Sequence, residues 1–329
     1  MSDQTQATPA PPATGRRLTG IIDVHSHATF DIGAGPPRLN QPKWTAELAL
    51  AMMDANEVAA TVLTLPYAAN KAEGAAARDI ARRVNEQLAA VVQKYPTRFT
   101  ALATVPGRDI DGTLAEMSYA LDTLGLDGVS TETSINDVYL GDARYTPWFE
   151  EMNRRGTTLF AHPAFARASE PLSLGLNPSL LEFMFDSTRM LTNLVLTGTK
   201  ERFSAINIIT THAGGTLPFL LTRLQTLTQA FGTGEGQVPL TPEQLRAGFA
   251  SFYYDLTAAT SPAQLYALAQ LVPPARLLMG FDLPFMPDWS FAPTRHDVEN
   301  WSGFADADLP LVAHDNALGL FPGLAGRLA

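Results

Sequence analysis

The reactive side chains of this sequence are concentrated at the ends of short apolar runs. Of six histidines in 329 residues, four stand there: His25 ends GIIDVH with His27 just beyond, His162 follows TTLFA, and His212 follows INIITT. Asp282 follows ARLLMGF in the same way. Residues two apart on a strand point to one side, so His25 and His27 can reach one ion together. Imidazole combined with carboxylate suits zinc or manganese. A lone strand-end histidine is more often packed or hydrogen-bonded than a ligand, and a His-x-His pair alone says little. Four strand-end histidines with Asp282 are hard to explain as packing, so the group is read as the centre of a metal enzyme. His296 and His314 lie away from strand ends and read as structural or surface residues.

Other chemistries find no residues to carry them. Lys43, Lys71, Lys94 and Lys200 are the only lysines. None ends a strand, so neither a Schiff-base lysine nor a carbamylated lysine bridging two metals is expected. Where such a bridge would stand, the sequence reads Thr131-Glu132-Thr133. Glu132 could bridge metals, but a single ion is the expectation. No GxGxxG follows the first apolar run and no GxxxxGK[ST] occurs anywhere, which argues against nucleotide cofactors. The net charge of −10 argues against nucleic acid as the main partner. With no cysteine, disulfides and zinc–thiolate sites are excluded. No apolar run approaches the ~20 residues of a membrane helix.

The elements that must position these residues alternate. Strands are expected at 20–25, 58–65, 98–105, 126–132, 157–161, 206–211, 251–256 and 275–281, each a short apolar or β-branched run suited to a buried parallel sheet. Helices are expected at 45–55, 75–94, 110–124, 145–155, 216–231 and 261–271. Pro147, Pro218 and Pro262 sit near their starts, where proline is tolerated. Eight such strands allow a closed (β/α)₈ TIM barrel or an open doubly wound sheet. The first strand ends in Asp-Val-His-Ser-His rather than a glycine-rich turn, which favours the barrel, of the metal-dependent hydrolase type. In a barrel the strand ends converge on one mouth. Residues 1–18, rich in Pro, Ala, Thr and Gln, read as a disordered tail, and 19–329 as a single barrel domain. Arg16-Arg17 lacks a following apolar h-region, so the reading is a cytoplasmic protein. A long insertion at 163–190 is expected to shape the pocket.

The motifs IIDVHSH, AHP at 161–163, THAGGTLPF at 211–219, GFDLPF at 280–285 and NALGLF at 316–321 resemble the amidohydrolase-related metal-dependent decarboxylases, which include aminocarboxymuconate-semialdehyde and γ-resorcylate decarboxylases. The stretch at 181–203 is most similar to 6-methylsalicylate decarboxylase-like members. The resemblance spans roughly 20–323. It implies His25, His27, His162 and Asp282 as metal ligands and His212 as the histidine that contacts metal-bound water or substrate. It implies that Arg223 crosses a homodimer interface to hold a substrate carboxylate. Arg38, just before Trp44, resembles a substrate-binding arginine. Relatives usually carry a small residue where this sequence has Phe281, and the expected consequence is a smaller or reoriented pocket.

Beside the resemblance, Gly214 and Gly215 would let backbone approach a metal or ligand closely, and Pro284 would limit how the chain leaves the eighth strand. Phe30, Trp44, Phe165, Phe185, Phe285 and Trp289 could wall a planar substrate, with core packing the ordinary alternative for each. The expected activity is non-oxidative decarboxylation of an ortho-hydroxybenzoate or similar unsaturated acid, a small-molecule carboxylic acid, with one divalent ion, zinc or manganese. The resemblance implies Asp282 as the acid, with His212 orienting substrate or sharing the proton. Burial beside apolar residues such as Phe281 would raise the Asp282 pKa, and a bound cation would oppose this. The alternative on the same residues is a metal-dependent hydrolase or hydratase, with His212 or Asp282 as base.

Overall fold

A computed structural model of the chain describes residues 15–31, 42–164 and 166–329. Its strands are β1 (Ile21–His27), β2 (Val58–Thr64), β3 (Phe99–Ala101), β4 (Ala103–Thr104), β5 (Val129–Glu132), the short pair β6 (Ser134–Ile135) and β7 (Val138–Tyr139), β8 (Thr158–His162), β9 (Asn207–Thr210), β10 (Tyr253–Asp255) and β11 (Leu277–Leu278). β6 and β7 form an antiparallel hairpin, and all other pairings are parallel.

The ladders run β1-β2-β3 and β4-β5-β8-β9-β10-β11. Two junctions join them into a ring. At Leu102 the chain passes from β3 to β4: the Leu102 amide donates to the Leu63 carbonyl (3.0 Å) and the Ala103 amide to the Gly128 carbonyl (2.8 Å). At the other junction the extended chain after β11 lies against β1. Val24 donates to Met279 (3.0 Å), Asp282 to His25 (2.7 Å) and His27 to Leu283 (2.6 Å), all through the backbone. The result is the closed parallel barrel expected from the alternation of runs.

Ile22, Val24, Ala60, Val62, Leu102, Phe160, Ile209 and Leu278 fill the barrel interior, and Leu320, Phe321 and Leu324 of the C-terminal segment pack against them. A larger apolar layer lies between strands and helices. Each fully buried Leu, Ile, Val or Phe contributes about 1.5–3 kcal/mol. The helices are α1 (Ala46–Ala55), α2 (Gly74–Lys94), α3 (Ile110–Ser118), α4 (Thr146–Arg155), α5 (Glu182–Leu196), α6 (Thr199–Arg202), α7 (Leu217–Phe231), α8 (Pro242–Ala250), α9 (Pro262–Ala269) and α10 (Phe291–Asn300), followed by short C-terminal turns. Among them α5, α6, α8 and α10 lie outside the helices expected from sequence. No helix among the described residues is long and apolar enough to cross a membrane.

The expected loose segment 1–18 needs correction at its end. Leu18 is buried in the outer apolar layer, and Arg16 donates to the carbonyls of Trp301 and Phe304 (3.2 and 2.7 Å). These contacts tie the chain down before β1 begins. Residues 1–14 lie outside the described residues, as do Arg38 and Phe165. The segment 163–190 runs through short helical turns and ends in the first half of α5. Asp186 anchors it, accepting from the Thr133 hydroxyl, from Tyr139 (2.7 Å) and from the Ala164 amide (2.8 Å).

Candidate metal centre and active site

β1 reaches the site through an irregularity. Ile22 and Val24 face the interior, so strict alternation would send His25 and His27 outward. Between Asp23 and Ser26, however, β1 advances three residues while β2 advances two, from Thr61 to Leu63. The extra residue reverses the phase. The His25 ring then lies 5.1 Å from that of the interior Phe160. Asp23 stitches the irregularity, its Oδ1 accepting from the amides of His25 and Phe281 (3.0 Å each).

His25, His27, His162 and Asp282 converge so that one ligand atom from each lies within 4.8 Å of the others. Each histidine presents the same nitrogen, because its Nδ1 is engaged elsewhere. His25 Nδ1 donates to Asp255 Oδ2 (2.9 Å) and His162 Nδ1 to the Pro163 carbonyl (2.8 Å). His27 Nδ1 donates to Thr64 Oγ1 (3.0 Å), whose single proton goes to the Ser26 carbonyl (3.1 Å). The Nε2 atoms of His25 and His27 and Oδ1 of Asp282 are buried without a hydrogen-bond partner among the described residues. Oδ1 of Asp282 lies 3.2 Å from His27 Nε2 and 3.6 Å from His25 Nε2. Buried polar atoms left without hydrogen bonds are costly, and a divalent cation satisfies such a His₃Asp set. Glu132 lies outside the four-residue cluster and accepts from Asn70 (2.8 Å).

His212 follows β9 at φ 53°, a left-handed conformation uncommon for residues other than glycine. Its ring centroid is 5.1 Å from that of His25 and 6.0 Å from that of His162. Burial, then the neighbouring His25, lowers its pKa to about 4, and burial with His27 and His25 holds His162 well below the ordinary range. Both rings are neutral near pH 7. Burial alone would raise Asp282, but His25, His27 and His162 outweigh it and hold the carboxyl below its ordinary value. The Phe281 ring turns into the outer layer and stacks on Phe291 of α10. This corrects the expectation that Phe281 shrinks the pocket.

The other expected residues divide. Phe285 stands beside the cluster, its ring 5.4 Å from His27. Phe185 is 38% exposed on α5, whereas its neighbour Phe183, carried by the same segment expected to shape the pocket, lies 5.7 Å from His162. Trp44 packs against Phe30 and Phe99, at 5.2 and 6.5 Å, on the outer apolar layer. Arg223 is exposed on α7 and makes no ion pair among the described residues. The backbone at Gly214 and Gly215 is closely packed. A Cβ at Gly214 would come within 2.6 Å of the Tyr254 ring, and one at Gly215 within 2.1 Å of the Met184 carbonyl. Tyr67, whose ring is 6.0 Å from His27, and Asp255 were missed. Tyr67 lies just past the expected strand 58–65 and Asp255 within the expected strand 251–256, where a carboxylate in a buried run was the available signal.

The closed barrel and the four clustered side chains that could hold a metal ion define a barrel enzyme with a site for one divalent cation. A family model described as amidohydrolase matches residues 22–323. The chain is 30% identical over 327 residues to 6-methylsalicylic acid decarboxylase of Penicillium expansum, covering 93% of this chain and 98% of that one. It is 26% identical over 288 residues to γ-resorcylate decarboxylase of a Rhizobium species, covering 83% and 85%. Among solved structures it is similar in fold to a dihydroxybenzoic acid decarboxylase from Polaromonas with bound manganese and 2-nitroresorcinol, at a TM-score of 0.78 and 23% identity over 93% of this chain and 97% of that one. The chain belongs to the amidohydrolase family, and its place there is among the decarboxylases.

Proposed function

We propose that this enzyme removes carbon dioxide, without oxidation, from a 2-hydroxybenzoate-type acid. His25, His27, His162 and Asp282 hold one divalent cation, zinc or manganese. The observation that carries this reading is the convergence of these four side chains beside His212, in a chain alike over nearly its whole length to a decarboxylase of 6-methylsalicylic acid. When bound, the cation supplies positive charge for the substrate carboxylate and its neighbouring oxygen.

The chain's own residues then act on the proton. Asp282 is held ionised and His212 neutral. An entering anion opposes ionisation of Asp282 and favours protonated His212, so a proton taken up with the substrate resides on this pair. From there it passes to the ring carbon that bears the carboxylate. The carbon–carboxylate bond then breaks, its electron pair returns to the ring, and aromaticity is restored: one carboxylate and one proton give the arene and carbon dioxide. Phe285 and Phe183 offer aromatic edges to a planar ring.

The working unit is a homodimer in the cytoplasm, with Arg223 reaching the neighbour's substrate. Phe219 and Arg223 lie four residues apart on α7 and so share a face. Phe219 is 84% exposed, and Leu172, Leu174 and Leu180 are also exposed. These exposed apolar side chains are the surface assigned to that contact. Incubation with a panel of hydroxybenzoates and lactones, following carbon dioxide and product mass, tests the activity. Carbon dioxide from an ortho-hydroxybenzoate supports it, and hydrolysis alone overturns it.

A further inference from the structure

Asp255 ends β10 and is fully buried, yet it is none of the four clustered residues. Its two oxygens divide their work. Oδ2 lies 2.9 Å from His25 Nδ1. Oδ1 accepts from the backbone amide of His212 (2.9 Å) and from that of Thr257 (3.1 Å). We propose that Asp255 is a positioning residue that locks His25 in its metal-binding tautomer and at the same time fixes the backbone of His212. One carboxylate would thereby align the cation site with the proton-transfer group. This inference rests on the proposed role of His25 as a ligand.

The argument is one of donors and acceptors. An ionised carboxylate only accepts hydrogen bonds. Held against Asp255, a His25 that has given up one proton to bind metal must keep the other on Nδ1, which leaves the Nε2 lone pair directed at the cluster. The same group holds the His212 amide, although His212 adopts the left-handed conformation that disfavours side chains. Such a backbone persists only when its surroundings over-determine it. Space for the pair is left by Gly280: a Cβ there would lie 2.9 Å from His25 Cβ and 2.2 Å from Thr257 Oγ1.

Asp255→Asn separates this role from simple packing, because the amide has nearly the same shape. With its oxygen toward the two backbone amides, its NH₂ faces His25 Nδ1 and forces the proton onto Nε2, which then cannot bind metal. With its oxygen toward His25, the NH₂ opposes two N–H donors. The experiment measures three properties of wild type and Asp255→Asn: zinc affinity by chelator competition, histidine tautomer by ¹⁵N NMR of the chelator-treated protein, and hydrogen exchange at the His212 amide. The NMR is run at a pH high enough to leave His25 neutral, because burial lowers its pKa but the carboxylate neighbours outweigh this and raise it to about 9. The expected result is zinc affinity reduced by about 10–100-fold, His25 moved from the Nδ1–H to the Nε2–H form, and faster exchange at His212, with the far-UV spectrum retained. Wild-type zinc affinity and an unchanged tautomer in the variant would overturn the proposal. If the variant does not fold, the wild-type spectrum still decides, since His25 found as Nε2–H refutes it. His25→Ala separates the two readings. Undiminished zinc binding there defeats the ligand assignment itself, whereas weakened binding there with none in Asp255→Asn defeats only the role of Asp255.

Discussion

The rings of Phe281 and Phe291 stack with centroids 4.3 Å apart and planes inclined by 11°. A bulky side chain immediately before Asp282 is thus accommodated behind the barrel wall, and the mouth is left to Phe285 and Phe183. Phe281→Ala should therefore behave as a core truncation, costing about 3–5 kcal/mol of stability with little change in KM. Urea denaturation paired with steady-state kinetics checks this. A large KM change at unaltered stability would place the ring in the pocket after all.

Thr64 should matter for metal retention although it touches no substrate. Its hydroxyl fixes the His27 tautomer as Asp255 does that of His25. Thr64→Val removes the acceptor at nearly constant volume, and zinc affinity should fall by about tenfold or more. Thr64→Ser should retain it. Equilibrium competition with a chromogenic chelator distinguishes the two variants, and equal affinities would refute the role.

Arg223 offers a test of shared sites. An Arg223→Ala chain and a His212→Ala chain should each be inactive or nearly so. In their heterodimer one site has both residues intact, so mixing should restore activity. Heterodimers demonstrated by mass spectrometry but without activity would contradict the arrangement.

The surface supplies a pH effect with a definite sign. Hydrogen bonds from Arg154 and then Arg155 lower the Glu151 pKa to about 2 from an ordinary 4.5. A depressed carboxylate pKa contributes stability above the unfolded value, and that contribution disappears as pH falls from 4.5 through about 2. The destabilisation of Glu151→Gln relative to wild type should accordingly be present at neutral pH and vanish across that window. Denaturant midpoints measured through it would show a constant difference if the ion pairs contribute nothing.

Much of the barrel was legible because buried parallel strands are short apolar runs, and the clustered His25, His27, His162 and Asp282 stood out because polar residues ended those runs. What the runs do not encode is phase. His25 and His27 were expected to share a side, but which side depends on the extra residue between Asp23 and Ser26. Helix α8 was announced by Thr241 and Gln244, which form a capping box around Pro242, a readable signature that was passed over. Helix α10 was obscure because Pro293, Thr294 and Asp297 interrupt its apolar pattern. Aromatic type alone did not separate Trp44, packed on Phe99, from Phe285 beside His27. Asp255 was hidden inside the expected strand 251–256. A carboxylate in a buried run was its one clue, since a buried charge requires partners.

The central claim, that a proton replaces the carboxylate on a ring carbon at the His25, His27, His162, Asp282 and His212 centre, is most directly tested in deuterated water. The manganese- or zinc-loaded enzyme is given an ortho-hydroxybenzoate, and carbon dioxide and the labelled product are measured by mass spectrometry and NMR. The account predicts one carbon dioxide per turnover and one deuterium on the carbon that held the carboxylate, with both abolished in His212→Ala. Turnover of a lactone, amide or hydratable alkene with no carbon dioxide from any hydroxybenzoate would contradict it.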